Sequence, residues 1–121
     1  MKTVLIVDDS VFMRNMIKKY LRDLDVKVVG EAEDGRVAVE KYIELNPDIV
    51  TLDLAMFVYD GIKALKEILD HDPNASVIIV SSTADQESVI DEAMDLGART
   101  VLNKPISKEE LIGVFNELIN E

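Results

Sequence analysis

Apolar residues fall along this chain in two alternating kinds of run. Val4-Leu5-Ile6-Val7 is short, continuous and branched, as a strand buried on both faces of a parallel sheet requires. Met13, Met16, Ile17, Tyr20, Leu21 and Leu24 recur instead at helical spacing, with Arg14, Lys18, Lys19 and Arg22 between them. Val26 to Ala32, rich in β-branched residues, reads as a second strand. After a turn at Asp34-Gly35, Val39, Tyr42, Ile43 and Leu45 give a helix that Asn46-Pro47 stops. Asp48 to Asp53 is a third strand and Ala55 to Asp60 a loop that Gly61 ends. Leu65, Ile68 and Leu69 mark a helix closed before Pro73, and Ser76 to Ser82 a fourth buried strand. Asp85, Gln86 and Glu87 open a helix through Val89, Ile90, Ala93 and Met94, with Gly97 as its stop. Arg99 to Leu102 is a short fifth strand, Asn103-Lys104-Pro105 a turn, and Leu111, Val114, Phe115 and Leu118 build the last helix. Five strands alternating with five helices predict an α/β fold, a parallel sheet with helices on both faces. No linker or internal repeat interrupts the series, so residues 1–121 are expected to form one domain.

Composition narrows the class. The chain has 121 residues, 48% hydrophobic and 31% charged, which are globular values. The absence of cysteine removes thiol chemistry and fits a reducing compartment. No apolar run approaches the ~20 residues a membrane span needs, so a soluble, cytoplasmic protein is expected. A formal charge of −11 argues against nucleic acid as a direct partner and favours a cation or a basic protein surface. Most of the acidic residues need do no more than keep the domain in solution.

The informative polar residues cluster at strand ends on one side of the predicted sheet: Asp8 and Asp9, Asp53, Ser82 and Lys104. In an open α/β sheet that is where ligands bind. One of Asp8, Asp9 and Ser10 can be spent on capping the helix that starts near Val11, but a cap needs only one. Three carboxylates brought together repel unless a cation sits among them. Oxygen donors without His or Cys specify a hard divalent ion, Mg²⁺ above all where water and phosphate complete its shell. A lysine opposite could neutralise the cluster or hold a phosphoryl oxygen, and a serine could donate to the same oxygen. The set describes a place for a phosphoryl group, with a carboxylate as candidate nucleophile.

Asp8-Asp9-Ser10, the Asp53 closing Ile49-Val50-Thr51-Leu52, Asp60-Gly61, Ser82 after Val77-Ile78-Ile79-Val80-Ser81, and Lys104-Pro105 together resemble the receiver domain of two-component response regulators. The intervals suit that family: 44 residues from Asp9 to Asp53, 29 on to Ser82 and 22 on to Lys104. The opening Asp8-Asp9-Ser10-Val11-Phe12-Met13-Arg14 looks closest to its chemotaxis branch, the CheY-like regulators and the receiver of the chemotaxis methylesterase. The resemblance implies a flavodoxin-like (βα)5 three-layer sandwich with strand order 2-1-3-4-5. It implies that Asp53 accepts a phosphoryl group from a histidine kinase, while Asp8, Asp9, Asp53 and the Ala55 backbone carbonyl hold Mg²⁺. Lys104 would pair with the acyl phosphate. Ser82, beside Thr83, would turn toward it and shift the face of helix four, strand five and helix five, where a downstream protein docks. The bond before Pro105 would be cis. Such a protein is a monomeric phosphoacceptor switch rather than an enzyme, its own activity limited to self-phosphorylation and self-dephosphorylation.

Some positions depart from the family pattern. Phe57 stands where proline is usual, and Phe57-Val58-Tyr59 puts three large apolar residues on the rim of the site, where they could fold inward, contact a partner, or reflect an altered segment. Ala55 and Ala84 replace polar residues that orient a hydrolytic water, which predicts slow self-dephosphorylation. Thr83 is larger than the usual residue and could crowd the entrance. Val101 replaces an aromatic that often swings between states. His71 reads as a surface loop residue. Two other functions remain open at this point: a receiver scaffold turned into a binding module through Phe57-Val58-Tyr59, and an aspartate-nucleophile phosphatase of the haloacid-dehalogenase type. The latter carry Asp-x-Asp after strand one, which Asp8-Asp9-Ser10 lacks.

Overall fold

The computed structural model describes residues 1–55, 61–82 and 87–121. Its elements run β1 (Lys2–Val7), α1 (Val11–Leu21), β2 (Val26–Ala32), α2 (Gly35–Leu45), β3 (Ile49–Asp53), α3 (Gly61–His71), β4 (Ser76–Ser81), α4 (Glu87–Leu96), β5 (Thr100–Asn103) and α5 (Lys108–Ile119). All strand pairs are parallel, in the order β2-β1-β3-β4-β5. The chain steps from β1 to one side for β2, then crosses back over β1 for β3. That reversal, with every crossover right-handed, sends α1 to one face and α2, α3 and α4 to the other.

Two cores result, one on each face of the sheet. Leu5, Val7, Val50, Leu52, Val77 and Ile79 pack under α2, α3 and α4. Val4, Ile6, Ile49, Ile78, Val80 and Leu102 pack under α1 and α5, around Ile17, Leu111 and Phe115. The central strands are buried on both sides, which is why their sequences are continuous apolar runs. Helix α3 turns Ile62, Ala64, Leu65, Ile68 and Leu69 inward, and each of the larger side chains contributes roughly 1.5–3 kcal/mol. Caps set the helix starts. Ser10, Asp34 and Ser107 accept from the backbone N–H groups of Met13, Val37 and Glu110. Asn46 closes α2 in the left-handed region, and Gly97 follows α4 with φ +123°.

The apolar pattern overstated some helix faces. Ile43 is 53% exposed, because α2 buries the line Gly35, Ala38 and Tyr42 and Ile43 lies about 80° or more around the helix from it. Leu45 and Met94 are exposed too. Leu24 lies past the end of α1, in the turn that leads to β2, and still packs on the core. Asp48 stands before β3, where its carboxylate accepts from the Thr3 N–H at 2.8 Å. Among the described residues no helix is long and apolar enough to cross a membrane.

Strand β2 holds a feature its sequence did not announce. Val4 pairs with Val28 but Leu5 pairs with Gly30, so Val29 is an extra residue, a bulge. Past the bulge the alternation is inverted. Ala32 joins the core under α2, and Glu31 is delivered to the α1 face.

Candidate functional site: an acidic pocket facing a lysine

Strand register brings the polar residues together. Val7 is beside Leu52, so the next residues, Asp8 and Asp53, are neighbours at the ends of β1 and β3. Ser81 is beside Asn103, so Ser82 and Lys104 follow in step. Alternation does the rest: Ile6 and Asp8, Thr51 and Asp53, Leu102 and Lys104 point to the α1/α5 face. The site lies at the reversal of strand order between β1 and β3, the crevice in which open parallel sheets bind ligands.

Asp8 and Asp53 are almost wholly buried, at 1% and 2% exposure, while Asp9 is exposed. Asp53 Oδ1 accepts the Ala55 N–H at 3.1 Å, and its Oδ2 lies 3.3 Å from Lys104 Nζ. Asp8 Oδ1 accepts the Ser10 N–H at 2.9 Å. Among the described residues its buried Oδ2 has no hydrogen-bond partner and faces only the ammonium of Lys104, 3.4 Å away. Burial, and then the charge of Asp8, pushes the Asp53 carboxyl up to about 6. Burial raises Asp8 as well, against the opposing pull of the Ser10 N–H and Lys104. Burial works to lower Lys104, but Asp53 and Asp8 outweigh it and hold the ammonium above its ordinary value. The lysine is thus a fixed cation, and the carboxylates are short of positive charge.

A divalent ion fits this set. Asp8, Asp9 and Asp53 each offer an oxygen, all within 4.8 Å of one another, and among the described residues Asp8 Oδ2 lacks a hydrogen-bond donor. No nitrogen or sulfur ligand joins them among the described residues, which suits a hard ion such as Mg²⁺. Only Ser10 of the opening motif is used as a cap, leaving both acids for the pocket.

The remaining candidates divide. Ser82 is partly buried beside Lys104, and the Ala55 backbone turns its N–H to Asp53. Val101 is half-buried against the α2–α4 core, and the Lys104-Pro105 bond is cis. Phe57, Val58, Tyr59, Asp60, Thr83 and Ala84 lie outside the described residues. Sequence reading overlooked two residues at the pocket's back. Arg14 Nη1 donates to the Asp8 backbone carbonyl at 2.6 Å, and its Nε pairs with Glu31 Oε1 at 3.0 Å. Arg14 was visible only as one cation on a polar helix face, and Glu31 reaches it only because of the bulge.

A buried aspartate pair faced by a lysine, at the switch point of a five-stranded parallel sheet, defines a flavodoxin-like domain with an acidic pocket. The family model described as "Response regulator receiver domain" matches residues 4–116. The chain belongs to the response regulator receiver family. The chemotaxis protein CheY of Thermotoga maritima is 46% identical over 117 residues, 97% of each chain. The response regulator domain of Thermotoga maritima CheB matches with TM-score 0.89 and 40% identity, over 100% of this chain and 98% of that one. The CheY of a CheX-CheY-BeF3-Mg²⁺ complex from Borrelia burgdorferi matches at TM-score 0.89 and 34% identity, over 98% and 89%. The family is one of signalling domains, in which phosphorylation and magnesium are general.

Proposed function

We propose that this chain is a chemotaxis-type response regulator that takes a phosphoryl group onto Asp53 from a histidine kinase. The observation that carries the reading is the state of that carboxylate: buried, lifted to about 6, one oxygen held by a backbone N–H and the other facing Lys104. An Asp53 oxygen attacks phosphorus, the O–P bond forms as the P–N bond of the donor breaks, and the electron pair leaves on the imidazole nitrogen, which takes a proton. The Ala55 N–H orients the attacking carboxylate. Lys104 moves its pairing from the carboxylates to the phosphoryl oxygens. Asp8, Asp9, Asp53 and the Ala55 carbonyl would hold Mg²⁺, which supplies positive charge for those oxygens when bound. The magnesium and BeF3 named for the Borrelia burgdorferi complex support this assignment.

Ser82, next in step with Lys104, turns toward the phosphoryl group and shifts the face of α4, β5 and α5 for a downstream protein. Ala55 has no polar side chain to orient an attacking water, so the acyl phosphate is long-lived. Incubation with acetyl phosphate and Mg²⁺ should add one phosphoryl group by intact mass, and Asp53→Asn should abolish it. Equal labelling of the variant would move the chemistry elsewhere.

A further inference from the structure

The β1–α1 turn presents two acids by different means. Asp8 is buried, and its side chain is fixed by the Ser10 N–H and Lys104. Asp9 is exposed, so where its carboxylate points depends on the peptide that joins it to Asp8. Arg14 grips that peptide: its Nη1 donates to the Asp8 carbonyl at 2.6 Å. The guanidinium is itself held, with its side chain only 13% exposed and its Nε on Glu31 Oε1. The other Glu31 oxygen accepts from Lys18 at 2.9 Å, and together Lys18 and Arg14 depress the Glu31 carboxyl below its ordinary range. The preceding peptide is held as well, its Asp8 N–H donating to the Ala32 carbonyl at 3.0 Å.

We propose that Arg14, anchored by Glu31 of the bulged edge strand, is a positioning residue that sets the Asp8-Asp9 peptide and so aims Asp9 at the cation. It touches neither ion nor phosphoryl group. The inference rests on the magnesium site proposed above, and its sign separates it from a field effect. A guanidinium near a cation site opposes binding through space. If charge were all that mattered, removing it would tighten magnesium. If it positions Asp9, removing it loosens magnesium, by the tenfold or more typical of residues that orient ligands from behind.

The test titrates the full chain with MgCl2 by calorimetry at pH 8, well below each variant's melting temperature, with the Asp9 and Ser10 amide signals followed by ¹⁵N NMR before metal is added. Arg14→Gln should weaken magnesium about tenfold and shift or broaden those two amides in the metal-free chain. Arg14→Lys, which keeps the charge and a donor at that place, should recover part of the affinity. Lys19→Gln, an exposed charge removal on the same helix, should not weaken it. If Arg14→Gln fails to fold, Glu31→Gln replaces it and should move the same amides and weaken binding several-fold. Wild-type affinity or better in the folded Arg14 variant, or equal loss in Lys19→Gln, overturns the proposal and leaves the magnesium site standing. No magnesium binding by the wild-type chain overturns both.

Discussion

Replacing Asp53 by Asn should stabilise the metal-free protein at neutral pH while removing the proposed phosphoacceptor. Asp53 has an ordinary value of 3.8 and is raised to about 6 in the fold, first by burial and then by Asp8. Each tenfold change in proton affinity is worth ~1.4 kcal/mol, so keeping this carboxylate ionised costs the folded state about 3 kcal/mol. The sign follows from proton counting. Between pH 4 and 6 the folded chain holds a proton at this site that the unfolded chain has released, so stability falls as pH rises through that window. Below 3.8 both states are protonated and above about 6 neither is. Asn cannot ionise, so its advantage should be near zero at pH 4, grow through the window, and level off near 2–3 kcal/mol above pH 7. Because Asp8 faces the same lysine, the titration belongs to the pair, and the curve will be broader than for one group. Urea unfolding in EDTA, followed by helical circular dichroism at half-unit pH steps, measures it directly. A difference between the two proteins that does not change with pH, or an Asn variant less stable than wild type at pH 7.5, would refute the reasoning.

Three further substitutions have definite expected outcomes. Lys104→Gln leaves Asp8 and Asp53 without their cation, so magnesium should bind several-fold more tightly at pH 8 by calorimetry while labelling by acetyl phosphate slows; weaker magnesium binding would contradict the charge argument. Gly61→Ala puts a Cβ 2.7 Å from Leu54 Cα and 2.8 Å from the Asp53 carbonyl, both backbone, and should cost about 2 kcal/mol, whereas Gly113→Ala, with open space in α5, should gain about 0.5–1 kcal/mol by urea unfolding.

Much of this was legible because buried parallel strands and capped helices write themselves locally. Val4 to Val7 and Ile49 to Leu52 could only be strands covered on both faces, and each ends on an acid. The meeting of Asp8, Asp53 and Lys104 follows from counting pleats, since Asp8 and Lys104 stand two residues, and Asp53 four, beyond a side chain in the α1/α5 core. What stayed hidden depends on one residue of register. Val29 looks like any other strand valine, and nothing in its neighbours says that it is unpaired. Without that knowledge Glu31 falls on the α2 face and Ala32 on the α1 face, and the contact between Arg14 and Glu31 is invisible. The exposure of Ile43 and Leu45 was hidden for another reason. An apolar residue at the border of a helix face has no pattern of its own, and Leu45 only covers Gly30, where its Cδ1 would stand 2.8 Å from a Cβ.

The irregularity in β2 also bears on how many of these molecules can share a crowded solution. This strand is a border of the sheet, seven residues long, and rich enough in valine to recruit a foreign strand if it were flat. The extra residue breaks it into short stretches out of phase with each other, and the Lys41 ammonium occupies the Glu31 carbonyl. A second chain laid along the margin would find three positions in step on either side of Val29 before losing register. The kink that sends a carboxylate to Arg14 therefore also guards the protein against fibrous self-association.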